Sequence, residues 1–241
     1  MKRLAAVAMA LLSLAGAQTP AQAEAPADWY TLNAQVGALF RQGNYARATE
    51  IAIRSVRLAE ATRGPNHRDV AVSLNNLAEL YSAQGQYAKA EPLFQRALAV
   101  WEKALGPDHT NVAQCLHNLA EMYYAQGQYA KAEPLYRRAL TIWEKALGAN
   151  HLDLAVNLDN LAELYRAQSQ FDKAEPLYQR ALAIRERALG PDHPDVAQSL
   201  TNLAELCKAT GRDEEAQALE QRAKAIRATK RQNQTTATTN K

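Results

Sequence analysis

Much catalytic chemistry is missing from this chain of 241 residues. No nucleophile stands in a recognisable motif with its base, no glycine-rich phosphate loop occurs, and no Cys and His residues fall at metal-ligand spacing. The chain is therefore not expected to be an enzyme, and neither a cofactor nor a metal is expected. Charge of one sign is missing as well. The 28 Lys and Arg residues against 25 Asp and Glu residues leave a formal charge of only +3, and the basic residues alternate with Glu instead of clustering. That pattern argues against a nucleic-acid partner, which needs a basic surface to meet phosphate. Long apolar runs are scarce too: Leu4 to Ala17 falls short of the roughly 20 residues that span a bilayer, and no later segment is longer. Stable membrane insertion is not expected.

What the start of the chain does contain is the pattern of a secretory signal over residues 1–23. Met1-Lys2-Arg3 is basic, the apolar run follows, and Ala21-Gln22-Ala23 has the small residues of a cleavage site. The expectation is export, to a periplasm or beyond the cell. Leu12 to Gly16 resembles the approach to a lipoprotein cleavage site, but Ala17 stands where cysteine is required, so no lipid anchor is expected. Taking Lys2 and Arg3 from the 28 basic residues leaves +1 against 25 acidic ones. Two cysteines, Cys115 and Cys207, are all that an exported chain has here for a disulfide. They lie two sequence repeats apart, beyond the ~7 Å Cα limit of a bridge if the repeats stack, and both read as buried thiols.

The repeats dominate the rest. SLNNLAELYSAQGQYAKAEPLFQRALAV from Ser73 returns with few changes from Cys115 and from Asn157, a step of 42 residues. Asn76, Asn118, Asn160 and Asn202 keep that step, as do Gly64, Gly106, Gly148 and Gly190. A degenerate copy precedes them from Trp29 and a divergent one follows from Ser199. Repeats of this length denote a stacked array in which each unit buries its apolar face against its neighbours.

Within one copy, Leu74, Leu77, Ala78 and Tyr81 fall at three- and four-residue spacing and predict a helix from an N-cap at Asp69 to Gln84-Gly85. Asn111, Asp153 and Asp195 repeat that cap. A second amphipathic helix runs from about Tyr87 to Ala104 and closes at Gly106-Pro107. Pro92, Pro134 and Pro176 fall inside it, so either it starts a turn later or it bends there.

The leucine, small residue, tyrosine, Gly-x-Tyr and later alanines of each copy (Leu77, Ala78, Tyr81, Gly85, Tyr87, Ala90, Ala97) resemble the tetratricopeptide repeat. The usual tetratricopeptide unit has about 34 residues, and the longer unit of 42 here, with its Ala-Glu-Pro-Leu and Leu-Gly-Pro-Asp-His segments, resembles the kinesin-light-chain-like subgroup and many bacterial repeat proteins. HEAT and armadillo solenoids share a period near 42 but lack the Gly-x-Tyr signature. The resemblance implies an all-α fold, a right-handed α-solenoid of about five helix pairs over residues 29–228. The repeats divide at about 29–68, 69–110, 111–152, 153–194 and 195–228. A short linker, 24–28, precedes them, and 229–241, polar and without apolar area, reads as a disordered tail.

In proteins of this kind the first helices line a concave wall that holds extended peptides. On this chain the matching stripe carries Asn76 and Glu79, Asn118 and Glu121, Asn160 and Glu163, and Asn202 and Glu205. Asparagine offers both donors and acceptors to a peptide backbone, and the Glu row favours a cationic segment. An equally available role for these rows is structural, bridging adjacent repeats. His117 interrupts the period, standing where the other copies have Asn75, Asp159 and Thr201, and borders the groove as a candidate specificity contact. His67, His109, His151 and His193 keep the period in the inter-repeat loops and read as backbone-bonding loop residues, too far apart for a zinc site. Trp101 and Trp143 read as core or seam, with a second docking patch as the alternative. The chain is thus expected to be an exported, non-catalytic, monomeric scaffold for a protein or peptide. The alternative is a self-associating spacer of the cell envelope.

Overall fold

A computed structural model describes residues 28–239, with side chains described to Thr229, so the signal and nearly all of the linker lie outside the described residues. Ten α-helices and no strand occur among those residues: α1 Trp29–Arg41, α2 Tyr45–Arg63, α3 Arg68–Ala83, α4 Tyr87–Leu105, α5 Thr110–Ala125, α6 Tyr129–Leu147, α7 Asp153–Ala167, α8 Phe171–Leu189, α9 Pro194–Ala209 and α10 Asp213–Thr239. They pack as five antiparallel pairs, each meeting only the next in sequence. This is the all-α repeat solenoid implied by the period.

Small side chains set how closely the helices approach. Ala48, Ala90, Ala132, Ala174 and Ala216 on the second helices, and Ala78, Ala120, Ala162 and Ala204 on the first, have no exposed surface. A larger group at any of them would push the two helices of a pair apart. Phe94, Tyr136 and Tyr178 fill the wider gaps beside them. The two cysteines are buried free thiols, and burial pushes the Cys115 thiol up from its ordinary pKa.

The helix starts differ from expectation in one respect. His67, His109 and His193, and not the acidic or amide residue two positions on, are the N-caps: each imidazole Nδ1 accepts from the backbone N–H of Asp69, Asn111 or Asp195. The imidazole reaches an N–H of the first turn that would otherwise lack a partner, so the periodic histidines serve the backbone. His151 makes the same bond to Asp153. The second helices begin at Tyr87, Tyr129 and Phe171, before their prolines, and pass through them. Each proline deprives the carbonyl four residues back, and those residues, Ala88, Ala130 and Asp172, are exposed, so water can serve the carbonyl.

Helix α10 continues to Thr239, past the boundary near residue 228 where composition predicts a disordered tail. Ile226 is its last buried side chain among those described, which end at Thr229.

The turn between the helices of a pair needs a left-handed residue. Gly43, Gly85, Gly127 and Gly211 supply it with φ near +70°, whereas the fourth repeat has Ser169 at φ 57°. A side chain is strained in that conformation by about 1 kcal/mol. Ser169→Gly is therefore expected to raise the melting temperature by about 2–4 °C in scanning calorimetry; an unchanged value would mean that the serine is not strained.

Candidate functional site

Successive first helices, α1, α3, α5, α7 and α9, touch one another across the repeats, whereas the backbones of successive second helices stay farther apart. The stack therefore closes on the odd-numbered side, and the predicted Asn and Glu stripe lies on its inner wall.

The asparagines of that wall bind the repeats together. Asn76 donates through Nδ2 to Asn33 Oδ1 at 3.1 Å. Asn118, buried, donates to Asn75 Oδ1 at 3.2 Å and to Glu79, and accepts from Gln114 Nε2 at 2.8 Å. Asn160 donates to Glu121 Oε1 at 2.9 Å and lies 3.4 Å from His117 Nε2. In each case the partner sits one residue before, or three residues after, the equivalent position of the preceding repeat, as a stacked array with a step of 42 dictates. Asn202 accepts from Gln198 at 2.9 Å, and its amide, with Arg185, partly opposes the upward shift that burial gives Asp159. Asn76 and Asn160 are only half-buried, and among the described residues no protein group donates to their Oδ1 atoms, which remain acceptors toward the groove.

The four Glu residues differ electrostatically although their positions are equivalent. Burial pushes the Glu79 carboxyl above the usual range, and the Asn75 hydrogen bond at 2.5 Å only partly offsets this. For Glu121, burial acts upward but bonds from His117 and Asn160 outweigh it, holding the carboxyl below its ordinary value. Glu163 is likewise held low, against burial, by Arg166 and the hydroxyls of Tyr178 at 2.8 Å and Tyr124 at 3.1 Å. Glu205 is exposed, with Arg166 at 3.8 Å.

His117 is buried. Its ring packs against Tyr136 and Trp143 at centroid distances of 5.5 and 5.6 Å, and its Nδ1 lies 2.9 Å from Asn157 Oδ1. With Gln114, Trp143, Asp153 and Val156 it lines a cavity of about 200 Å³. One repeat on, Asp159 takes the histidine's place and Arg185 that of Trp143. The two form a buried ion pair, the guanidinium also reaching Ser199. Burial raises the Asp159 pKa, Arg185 opposes it, and among the described residues Asp159 Oδ1 has no hydrogen-bond partner. Trp101 and Trp143 are core residues, so neither offers an exposed docking patch.

Two structural ladders were not foreseen. Arg96, Arg138, Arg180 and Arg222 reach back to Glu60, Glu102, Glu144 and Glu186 of the preceding second helix. The glutamate of each Ala-Glu-Pro segment also reaches the next repeat: Glu91 accepts from the Tyr123 hydroxyl and Glu133 from that of Tyr165, while Glu175 meets Arg212. The 42-residue recurrence of these charges was the available signal. Among the described residues no group of three or more His, Cys, Asp or Glu is placed to hold a metal, and no helix is long and apolar enough to cross a membrane.

A family model described as tetratricopeptide repeat matches residues 30–103, 69–145, 116–187 and 153–229. Among solved structures, BtubC (BKLC) from P. vanneervenii is 27% identical, with a TM-score of 0.74 over 84% of this chain and 80% of that one. The nearly identical TPR-like repeats of a candidate kinesin light chain from Podosopora anserina are 28% identical, with a TM-score of 0.73 over 84% and 96%. A Rap protein complexed with competence and sporulation factor shares the fold at 18% identity and a TM-score of 0.69, over 83% of this chain and 54% of its own. No curated protein matches the chain.

The Asp159–Arg185 pair occupies a layer that the second repeat builds from Asn75 and Trp101. Breaking it with Arg185→Trp strands a buried carboxylate and is expected to cost about 3–5 kcal/mol in urea unfolding. Asp159→Asn with Arg185→Trp is expected to recover most of that loss. Equal losses in the single and double variants would show that the two positions are not coupled.

Proposed function

The chain belongs to the tetratricopeptide repeat family, and from that premise we propose that it is an exported, non-catalytic scaffold that holds an extended, cation-bearing protein or peptide segment along the inner wall of its first helices. The fold supports protein interaction in general. What supports this particular reading is the imbalance of charge between the two faces. On the outer side, Glu60, Glu102, Glu144 and Glu186 are each matched by an arginine of the next repeat. On the inner side, Glu121 contacts no Lys or Arg among the described residues, and Arg166 serves both Glu163 and Glu205. A cation approaching the groove therefore meets carboxylates that are not fully neutralised, beside the acceptor oxygens of Asn76 and Asn160. The signal over residues 1–23 supports export. Exposed Asp213, Glu214 and Glu215 on the last helix favour a single copy over end-to-end stacking.

The test uses the chain from residue 24 and two labelled peptides, one alternating Lys with Ala and Ser, the other with Gln in place of Lys. Binding of the Lys peptide is expected, with Glu121→Lys and Glu205→Lys together weakening it about tenfold, since each reversal of an exposed charge contact contributes about 0.5–1 kcal/mol. Raising salt should weaken it as well, and the melting temperature should fall by no more than about 4 °C, through loss of the Asn160–Glu121 bond. Equal affinity for both peptides, or no effect of the reversals, would contradict the reading.

A further inference from the structure

The groove reading leaves open what the cavity beside His117 accepts, and the hydrogen bonds around it answer in chemical terms. Asn157 donates its Nδ2 to the Tyr136 carbonyl at 3.0 Å, which turns Oδ1 toward His117 Nδ1 at 2.9 Å. Two acceptors cannot bond each other, so Nδ1 carries a proton, and Nε2 is turned toward Asn160 and Glu121 at 3.4 and 3.6 Å. Gln114 gives its Nε2 to Asn118, leaving its Oε1 without a donor among the described residues. Asp153 adds an exposed carboxylate, met among the described residues by His151 at 3.6 Å. Gln114 Oε1 and the Asp153 carboxylate thus supply acceptors at the cavity, and its other walls are the Trp143 ring and Val156, which is half exposed.

A site with acceptors on one side and flat apolar walls on the other suits a planar cation that carries several donors. The geometry points to an arginine side chain of the bound segment, inserted between α5, α6 and α7 with its guanidinium on Asp153 and Gln114 and its stem along Val156 and Trp143. This rests on the groove reading and makes it more specific. The flanking layers explain why only this repeat is so equipped. The preceding one has Asn111 in place of Asp153 and so lacks the carboxylate. The following one already contains a guanidinium, that of Arg185, bonded to Asp159 and Ser199.

The probes are N-acetyl-arginine amide, its neutral isostere N-acetyl-citrulline amide and N-acetyl-lysine amide, titrated into the chain from residue 24 while the Trp143 indole and His117 imidazole resonances are followed. Saturable shifts are expected with arginine, about fivefold weaker with lysine and absent with citrulline. Asp153→Asn and Gln114→Ala, both on exposed side chains, should each weaken arginine binding about fivefold with the fold intact. Citrulline binding as well as arginine, or both variants binding arginine like the parent, would overturn the assignment. Lys-peptide capture that survives in Asp153→Asn while arginine amide shifts nothing would sink the cavity assignment alone. Arginine binding without any peptide capture would sink the groove reading alone.

Discussion

The structure depends on a single constraint: a helix pair of this kind has nothing to bury its apolar face against except the next pair, so every junction must be dry, close and fully hydrogen-bonded. Alanine columns make the junction close. Polar groups on the inner side make it costly, because a buried amide or carboxylate without a partner loses about 1–3 kcal/mol. Asn118 meets that demand by reaching two acceptors on the preceding repeat and taking a donor from its own helix. The same amide faces the wall where a partner would lie, so the seam and the surface share residues. Replacing one to probe binding also disturbs stacking, which is why the exposed carboxylates are the better probes of function.

The distribution of charge follows from the same geometry. Second helices are too far apart for backbone contact, and long Arg and Glu side chains bridge the gap, neutralising the outer face. First helices are too close for such pairs, and short Asn side chains bridge them instead, leaving the adjoining carboxylates without a regular cationic partner. Curvature thus separates a balanced outer face from an acidic inner one, although the whole chain is nearly neutral.

The sequence made most of the architecture legible. The 42-residue step, the glycines after each helix and the alanine columns identified five pairs and their order, because each is a local requirement repeated several times. The inner rows were legible as rows but not by role, since a residue that bridges repeats and one that binds a partner recur equally. The capping by His67 and its equivalents was hidden because a histidine and an acidic residue two positions apart both suit a helix start, and only geometry shows which one reaches the N–H. The Asp159–Arg185 pair was hidden for another reason: its partners lie 26 residues apart and only the shared layer, occupied elsewhere by His117 and Trp143, reveals that they changed together.

The central claim is that the inner wall of first helices is the binding surface. Hydrogen–deuterium exchange of the chain from residue 24, with and without an arginine-containing cationic peptide at saturating concentration, tests it most directly. The account predicts added protection in α5, α7 and the start of α9 and around Trp143 of α6, with α4 and α8 unchanged. Protection confined to the second helices, or to α1 and α10 at the ends, would contradict it.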